Sequence, residues 1–405
     1  MFKGEQMSDA DVATGPTAHP AVSPALRSSR LWVGIAYGLQ GLLTAVVFAN
    51  LPGLEERTSI GDSEVSLVLV AGLVMAAVGS LLAGWIAPRR GSAVVLVPAY
   101  AIQGIALMIA ILPLPFVVLV PVYALFGLGV GLADGGNGMQ ALVIQRGYGR
   151  SIINSLFAWT TGAAMLGALL VAVVNGLGAP FELSFAIAVV LALTLIWPMR
   201  KHLVPDPEVE THADAAELPR LPWRGILVFG LVISAVFVGE GAVSAGSSLH
   251  LEKTLSAAAW VVPLGYFAYL GGSLVSRLLG DRLANSIGRA KVVTAGIVVA
   301  AFGLVAAGMA PAPWFAVIAF GVTGLGLGVL VPVTFTAATD LAPDRTDEIV
   351  ARLNLFNYGG VLIGSAATGI IADAAGWPIA IALPAAIVLA ALFAVPAYRT
   401  TKVAA

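Results

Sequence analysis

Long apolar blocks alternate with short polar breaks along this chain. The blocks cover 31–51, 65–87, 92–112, 115–134, 154–175, 181–198, 223–243, 258–278, 290–310, 313–334, 355–375 and 378–397. Each holds about 20 residues, enough at 1.5 Å per residue to cross a hydrocarbon core of about 30 Å. Gly and Pro recur inside them, as membrane helices allow. Backbone groups cannot bond to lipid, so such blocks predict helices, and no ten-residue alternating strands of a barrel are visible. The expectation is an all-α polytopic membrane protein with twelve transmembrane helices. A polar segment rich in Pro, Ala and Ser, 1–30, reads as a disordered tail. The block after it starts too late and runs too long for a cleaved leader. The longest interior polar stretch, 200–222, separates six blocks from six. The expected layout is a six-helix bundle over 31–199, a second over 223–398 and a short tail over 399–405.

Composition points the same way. Hydrophobic residues make up 59% of the 405, charged residues 11%, and mean hydropathy is +0.95. A soluble domain carries about 25% charged residues, so lipid must solvate most of this chain. A net charge of −1 gives no hint of a nucleic-acid partner. With no cysteine, disulfides and thiolate metal sites are excluded. His19, His202, His212 and His250 read as residues of polar connections, none at metal-ligand spacing. Neither a metal nor a cofactor is expected, and no G-x-x-x-x-G-K-[ST] marks an ATP site.

The cations orient the helices. With an even number of spans both termini face one side. Placing them in the cytoplasm puts 19 of the 21 Lys and Arg residues on that side, leaving only Arg57 and Lys253 outside. This is the positive-inside pattern of a multi-pass protein of the cytoplasmic membrane.

The halves also look alike. "FGLGVGLADGGNGMQ" in the fourth block stands beside "TGLGLGVLVPVTFTA" in the tenth, with Gly127, Gly129 and Gly131 against Gly324, Gly326 and Gly328. "NSLFAWTTGAAMLG" stands beside "LNLFNYGGVLIG", and "GWIAPRRGSA" beside "GDRLANSIGRA". Twelve helices in two pseudo-symmetric six-helix bundles, with a basic, Gly-containing turn after the second helix of each, resemble the major facilitator superfamily. The resemblance covers residues from about 30 to 400. Its most specific part is Gly280-Asp281-Arg282 with Gly288-Arg289, which is similar to that family's G-x-x-x-D-R-x-G-R-R signature. In the first half Pro88 is taken to stand in place of the acid, beside Arg89 and Arg90.

In that family this turn is a cytoplasmic latch. The resemblance implies that Asp281 sits at a helix N-terminus of the other half, favoured by the helix dipole. Arg89, Arg90, Arg282 and Arg289 would then reach carboxylates or lipid phosphates, and the latch would break as the halves rock. Arg289 and Lys291 also suit a plain role in fixing topology.

Polar residues inside the blocks mark the candidate cavity. Tyr37, Gln40 and Thr44 share one helical face, and a polar stripe in a membrane must face protein or water. Tyr266, Tyr269 and Ser273 repeat the pattern in the eighth block. Asn354, Asn357 and Tyr358 open the eleventh block, and Asn154, Trp159 and Thr160 the fifth. Interhelical hydrogen bonding is the rival role for each. Glu240 lies late in the seventh block, followed by the small and polar "GAVSAGSSLH". This suggests an aqueous vestibule and a proton-coupling carboxylate; the rival is an acid reaching outward to the headgroups. Asp134 ends the fourth block, so a gating or helix-to-helix contact is expected of it.

The function these residues suggest is secondary active transport of a small organic solute by alternating access, coupled to protons and favouring export. Two features common in proton-driven drug exporters of the family are missing. Tyr123 stands where many carry an Arg, and Gly162 and Gly167 lack a following proline. Proton-coupled uptake of a sugar or organic acid is the alternative. A non-transporting sensor and an intramembrane enzyme are the rivals from other classes; the enzyme is disfavoured because no block shows a catalytic His, Cys or Asp-Asp arrangement. The expected partners are the solute, protons and membrane lipid, and the expected state is a monomer.

Overall fold

The computed structural model describes residues 23–58, 60–148, 152–204, 221–342 and 346–400, and its regular secondary structure in these segments is all helix. The helices are α1 (Pro24–Ala49), α2 (Leu51–Thr58), α3 (Asp62–Arg90), α4 (Ala93–Ala110), α5 (Phe116–Tyr148), α6 (Ile153–Gly176) and α7 (Glu182–His202). After the central connection come α8 (Trp223–Lys253), α9 (Leu264–Ile287), α10 (Arg289–Gly308), α11 (Pro313–Thr339) and α12 (Thr346–Ala375). The last apolar block is broken into α13 (Trp377–Ala382), α14 (Pro384–Ala390) and a 3-10 turn (Ala391–Ala394), followed by α15 (Ala397–Thr400). Pro384 brings one break, because proline cannot donate to the preceding turn.

Eleven of these segments are long and apolar enough to cross a membrane, with Trp377–Ala394 counted as one. The twelfth crossing expected from the sequence is α9. At 24 residues it is long enough, but Tyr266, Tyr269, its serines and glycines, and Arg277 dilute its hydropathy.

Several boundaries differ from the sequence expectation. Helix α1 begins inside the supposed tail. Pro24 opens it, and the Ser23 hydroxyl accepts from the Leu26 N–H at 3.2 Å, a regular N-cap. The charged stretch 276–291 is no extended turn either. Helix α9 continues to Ile287, and Gly288 alone reverses the chain at φ 89°. Gly91 does the same between α3 and α4 at φ 88°. Aligning these two glycines places Gly84, not Pro88, at the position of Asp281.

The two halves share a packing register. Added Cβ atoms at Gly127 and Gly131 would strike the backbone of Gly72 and Ala76 on α3, while one at Gly129 would strike Gln103 and Ala99 on α4. In the second half, Gly324 and Gly328 lie against Tyr269 and Ser273 on α9, and Gly326 against Ala300 on α10. Every pair is 197 positions apart. The glycines let three backbones approach closely, which is how membrane helices associate when no hydrophobic drive separates them from lipid.

The halves meet along α3 with α12 and along α6 with α9. On the face away from the described ends, here the far side, the contact is dense. Leu51, Ile60, Val65 and Leu69 pack with Ala245, Leu249, Ala372 and Trp377. Lys253 pairs with Glu55, and Asn175 Nδ2 donates to the Ala259 carbonyl at 3.2 Å. Asp373 of α12 accepts from the Ser63 backbone N–H at 3.0 Å and from the Ser63 hydroxyl, at the N-terminus of α3.

Candidate functional site

Midway through the membrane the interior is polar, and each half contributes one acid. In the first half the acid is Asp134. It does not end its span, because α5 runs on for 14 residues to Tyr148. Its Oδ1 accepts from Gln40 Nε2 of α1, and its Oδ2 accepts from the Tyr358 hydroxyl of α12 at 3.4 Å. Gln40 Oε1 in turn accepts from Asn137 Nδ2 at 2.9 Å. The same amide donates to the Tyr100 hydroxyl at 2.9 Å, and Tyr100 donates to the Ala36 carbonyl at 2.5 Å. Tyr37 packs edge-on to Phe157, with ring centroids 5.6 Å apart. Tyr358 also meets Ser80 of α3. Asp134 is solvent-exposed at this depth while its oxygens face α1 and α12. Its accessible surface therefore opens between the halves.

In the second half the acid is Glu240, 17 residues into the 31-residue α8. It is hydrogen-bonded to Tyr269 and lies in the field of Arg277. Tyr266 stacks on Tyr269 with centroids 6.2 Å apart and meets Ser244. Arg277 Nη1 donates to Thr161 Oγ1 of α6 at 3.3 Å, so this cluster also reaches across the halves.

Arg277 stands at the very end of the eighth apolar block, 258–278, where the sorting of cations by side counts it with the cytoplasmic ones. It sits ten residues before the end of α9, about 15 Å into the helix. The signal was present: 266, 269, 273 and 277 continue one helical face. The supposed vestibule after Glu240 is also corrected. Gly241 to Leu251 are all buried, because Gly241 abuts Val361 and Ser365 of α12, and Gly246 abuts Trp377 and Ile381 of α13. His250 belongs to this packed region rather than to a polar connection. It is fully buried, with its Nε2 3.0 Å from the Ala307 carbonyl. His202 closes α7, stacked on Trp32. His19 and His212 lie outside the described residues.

The remaining candidates divide. Tyr37, Gln40, Tyr266 and Tyr269 are buried in the two clusters, and Thr44 is half-buried on the same face of α1. Trp159 lies over Gly34 and is 45% exposed. Asn354 and Asn357 are half-buried on α12 and hold no side-chain hydrogen bond among the described residues. The side chains of Asn154 and Asp281 lie outside the described residues.

Among the described residues, no contact of the basic turns crosses between the halves. Arg89 folds onto its own helix, donating to the Trp85 carbonyl at 2.6 Å and covering the Trp85 ring. Arg90 and Arg282 are exposed. Arg289 pairs with Asp340, the residue that caps α11, within its own half.

Known proteins match both the sequence and this architecture. Residues 229–404 match the sequence model described as Major Facilitator Superfamily. An uncharacterized MFS-type transporter of Yersinia pestis is 24% identical over 373 residues, covering 91% of this chain and 95% of the relative. Membrane protein MosC of Rhizobium meliloti is 26% identical over 360 residues, covering 85% and 84%. Among solved structures, the nucleoside transporter NupG superposes with a TM-score of 0.70 at 14% identity, over 92% of this chain and all of that one. A bacterial homolog of the human lysosomal transporter Spinster, in an inward-facing and occupied conformation, gives 0.71 at 13% identity, over 94% and 98%. The family model covers the second half, and the relatives extend the match through the first, where the glycine register repeats. The second half thus matches the major facilitator superfamily, and over most of its length the chain is similar to multi-pass transporters of that family.

Proposed function

We propose that this transporter moves a small organic solute across the cytoplasmic membrane by alternating access coupled to protons, with both termini in the cytoplasm and the halves dividing within 203–222. The observation that carries this is the pair of interior acids, each tied to the opposite half by one hydrogen bond: Asp134 by Tyr358, and the Glu240 cluster by Arg277 to Thr161. An acid inside a membrane bundle is costly and marks an ion or substrate path. Here each acid sits where the interface must change as the halves rock. Ionised Glu240 balances Arg277; a proton on Glu240 removes that balance and loosens the cluster, which links protonation to rearrangement. With the far side tied by Ser63–Asp373 and Glu55–Lys253, and no described contact of the basic turns crossing between the halves, the arrangement fits the inward-facing state. Asp281 and Arg282 then serve as the latch of the opposite state.

The test is solute flux into proteoliposomes with and without an imposed pH gradient. Gradient-dependent accumulation is expected, and the direction of the effective gradient reads out import or export. Flux that equilibrates a solute but ignores the pH gradient would leave a facilitator in place of a proton-coupled carrier.

A further inference from the structure

The two interior acids are not equivalent in charge. Glu240 has a cation of its own half beside it, Arg277. Asp134 has none among the described residues: its hydrogen-bonding partners, Gln40 and Tyr358, are neutral. The rest of its network, Asn137 and Tyr100, is neutral as well. A carboxylate held among neutral donors and exposed at this depth lacks a counter-charge among the described residues. We propose that Asp134 is the solute-binding acid, and that the solute is an organic cation, an amine or ammonium compound, whose charge supplies the missing partner.

The walls fit that chemistry. Tyr37 and Phe157 form an edge-on pair on α1 and α6, and Tyr358 brings a third ring from α12 to the carboxylate itself. Aromatic faces attract ammonium groups, most strongly where water is scarce. The site is also rich in acceptors. Besides the two carboxylate oxygens, the buried Oδ1 of Asn137 accepts no hydrogen bond among the described residues. A cation bound at Asp134 would compete with the Tyr358 hydroxyl, which donates at the long distance of 3.4 Å. Tyr358 is the contact between this acid and the second half, so occupancy of the site is felt at the interface. An anionic solute would meet Asp134 as a like charge, and the cation that the described interior offers it, Arg277, is already balanced by Glu240.

This inference rests on the transporter reading above, but its test needs neither a proton gradient nor net transport. Purified protein in detergent is titrated with four cations of differing size, choline, spermidine, tyramine and tetraphenylphosphonium, and with tetraphenylborate as the shape-matched anion of the last. Binding is followed by calorimetry. At least one cation should bind, and tetraphenylborate should not compete with it. Asp134→Asn should weaken the cation by about tenfold or more, the effect of losing a charged hydrogen-bonding partner. Asp134→Glu, which keeps the charge, should recover most of the affinity, and this separates lost charge from lost folding. Binding by none of the four cations, or cation binding unchanged in Asp134→Asn, overturns the proposal. Proton-independent flux in liposomes would leave it standing, since binding is read without a gradient.

Discussion

Gln40 and Glu240 hold the same place in the two halves. Each precedes a glycine, Gly41 or Gly241, that lies against the fifth helix of its own bundle, at Thr160 and Val361 respectively. Each is followed four positions later by a hydroxyl residue, Thr44 or Ser244. That pairing of Gln40 with Glu240 is 200 positions apart; the separate register of 197 that pairs Gly91 with Gly288 sets Ser80 opposite Arg277. The charged pair of the second half is thus matched in the first by a neutral amide and a hydroxyl, and the first half carries its acid on α5 instead.

That asymmetry makes Glu240 the residue to neutralise. Glu240→Gln keeps size and hydrogen bonding but fixes the neutral state, much as its counterpart Gln40 does. Accumulation driven by a pH gradient is expected to fall to the level seen without one, while solute exchange at equal pH on both sides persists. If accumulation keeps its normal rate and pH profile, the proton path does not run through Glu240.

The crossings were legible in the sequence because a bilayer imposes a length on every block, and the repeat was legible because close packing at Gly127, Gly129 and Gly131 recurs at Gly324, Gly326 and Gly328. The interior was harder to read, for a physical reason. Hydropathy marks where apolar residues stop, not where a helix stops. Helices α5 and α9 carry on past the last apolar residue into polar ground, so Asp134 and Arg277 looked like edge residues when both lie deep. The run after Glu240 misled in the opposite sense. Small hydroxyl residues suit a wet vestibule or a tight helix contact equally well, and here Gly241 and Gly246 are pressed against α12 and α13.

The glycine register predicts unequal costs for similar substitutions. Gly326→Val would drive its side chain into the backbone of Ala300 and should destabilise the protein by at least about 1–3 kcal/mol, the range for overpacking. Gly129→Val should do the same against Ala99 and Gln103. Nothing lies within 4 Å of an added Cβ at Gly162, so Gly162→Ala should be neutral or slightly stabilising, as a helical Gly-to-Ala change is. Thermal unfolding in detergent, followed by size-exclusion recovery, checks the ordering. Equal melting temperatures for Gly326→Val and Gly162→Ala would argue against the packing described.

Topology can be tested without background labelling, since the chain has no cysteine. Glu56 and Ser286 are both exposed, beyond opposite ends of the bundle. Single cysteines there should react with a membrane-impermeant maleimide from opposite sides of oriented vesicles, Glu56→Cys from outside and Ser286→Cys from the cytoplasmic side. Labelling of both from one side would remove a crossing between them.

The last prediction concerns the far side. The sequence suggested an acid seated at a helix N-terminus of the opposite half, at Asp281. The structure has a contact of that kind at the other end of the molecule, made by Asp373. Its carboxylate accepts the Ser63 N–H and hydroxyl in the first turn of α3, where the helix dipole favours negative charge. Glu64 occupies the neighbouring donor, the Gly61 N–H, at 2.8 Å, so it is not placed to replace Asp373. Losing a capping interaction of this kind costs about 1 kcal/mol, a several-fold change in a two-state population. The cost falls only on the state in which α3 and α12 touch at this end. Asp373→Ala should therefore shift the protein toward a far-side-open form, with Lys253–Glu55 and the apolar seal still opposing it. Spin labels at Glu56 and Thr254, one in each half on that side, should report a growing long-distance population by pulsed electron resonance. An unchanged distance distribution in Asp373→Ala would mean that the apolar contacts of Leu51, Val65 and Trp377 alone hold the far side shut.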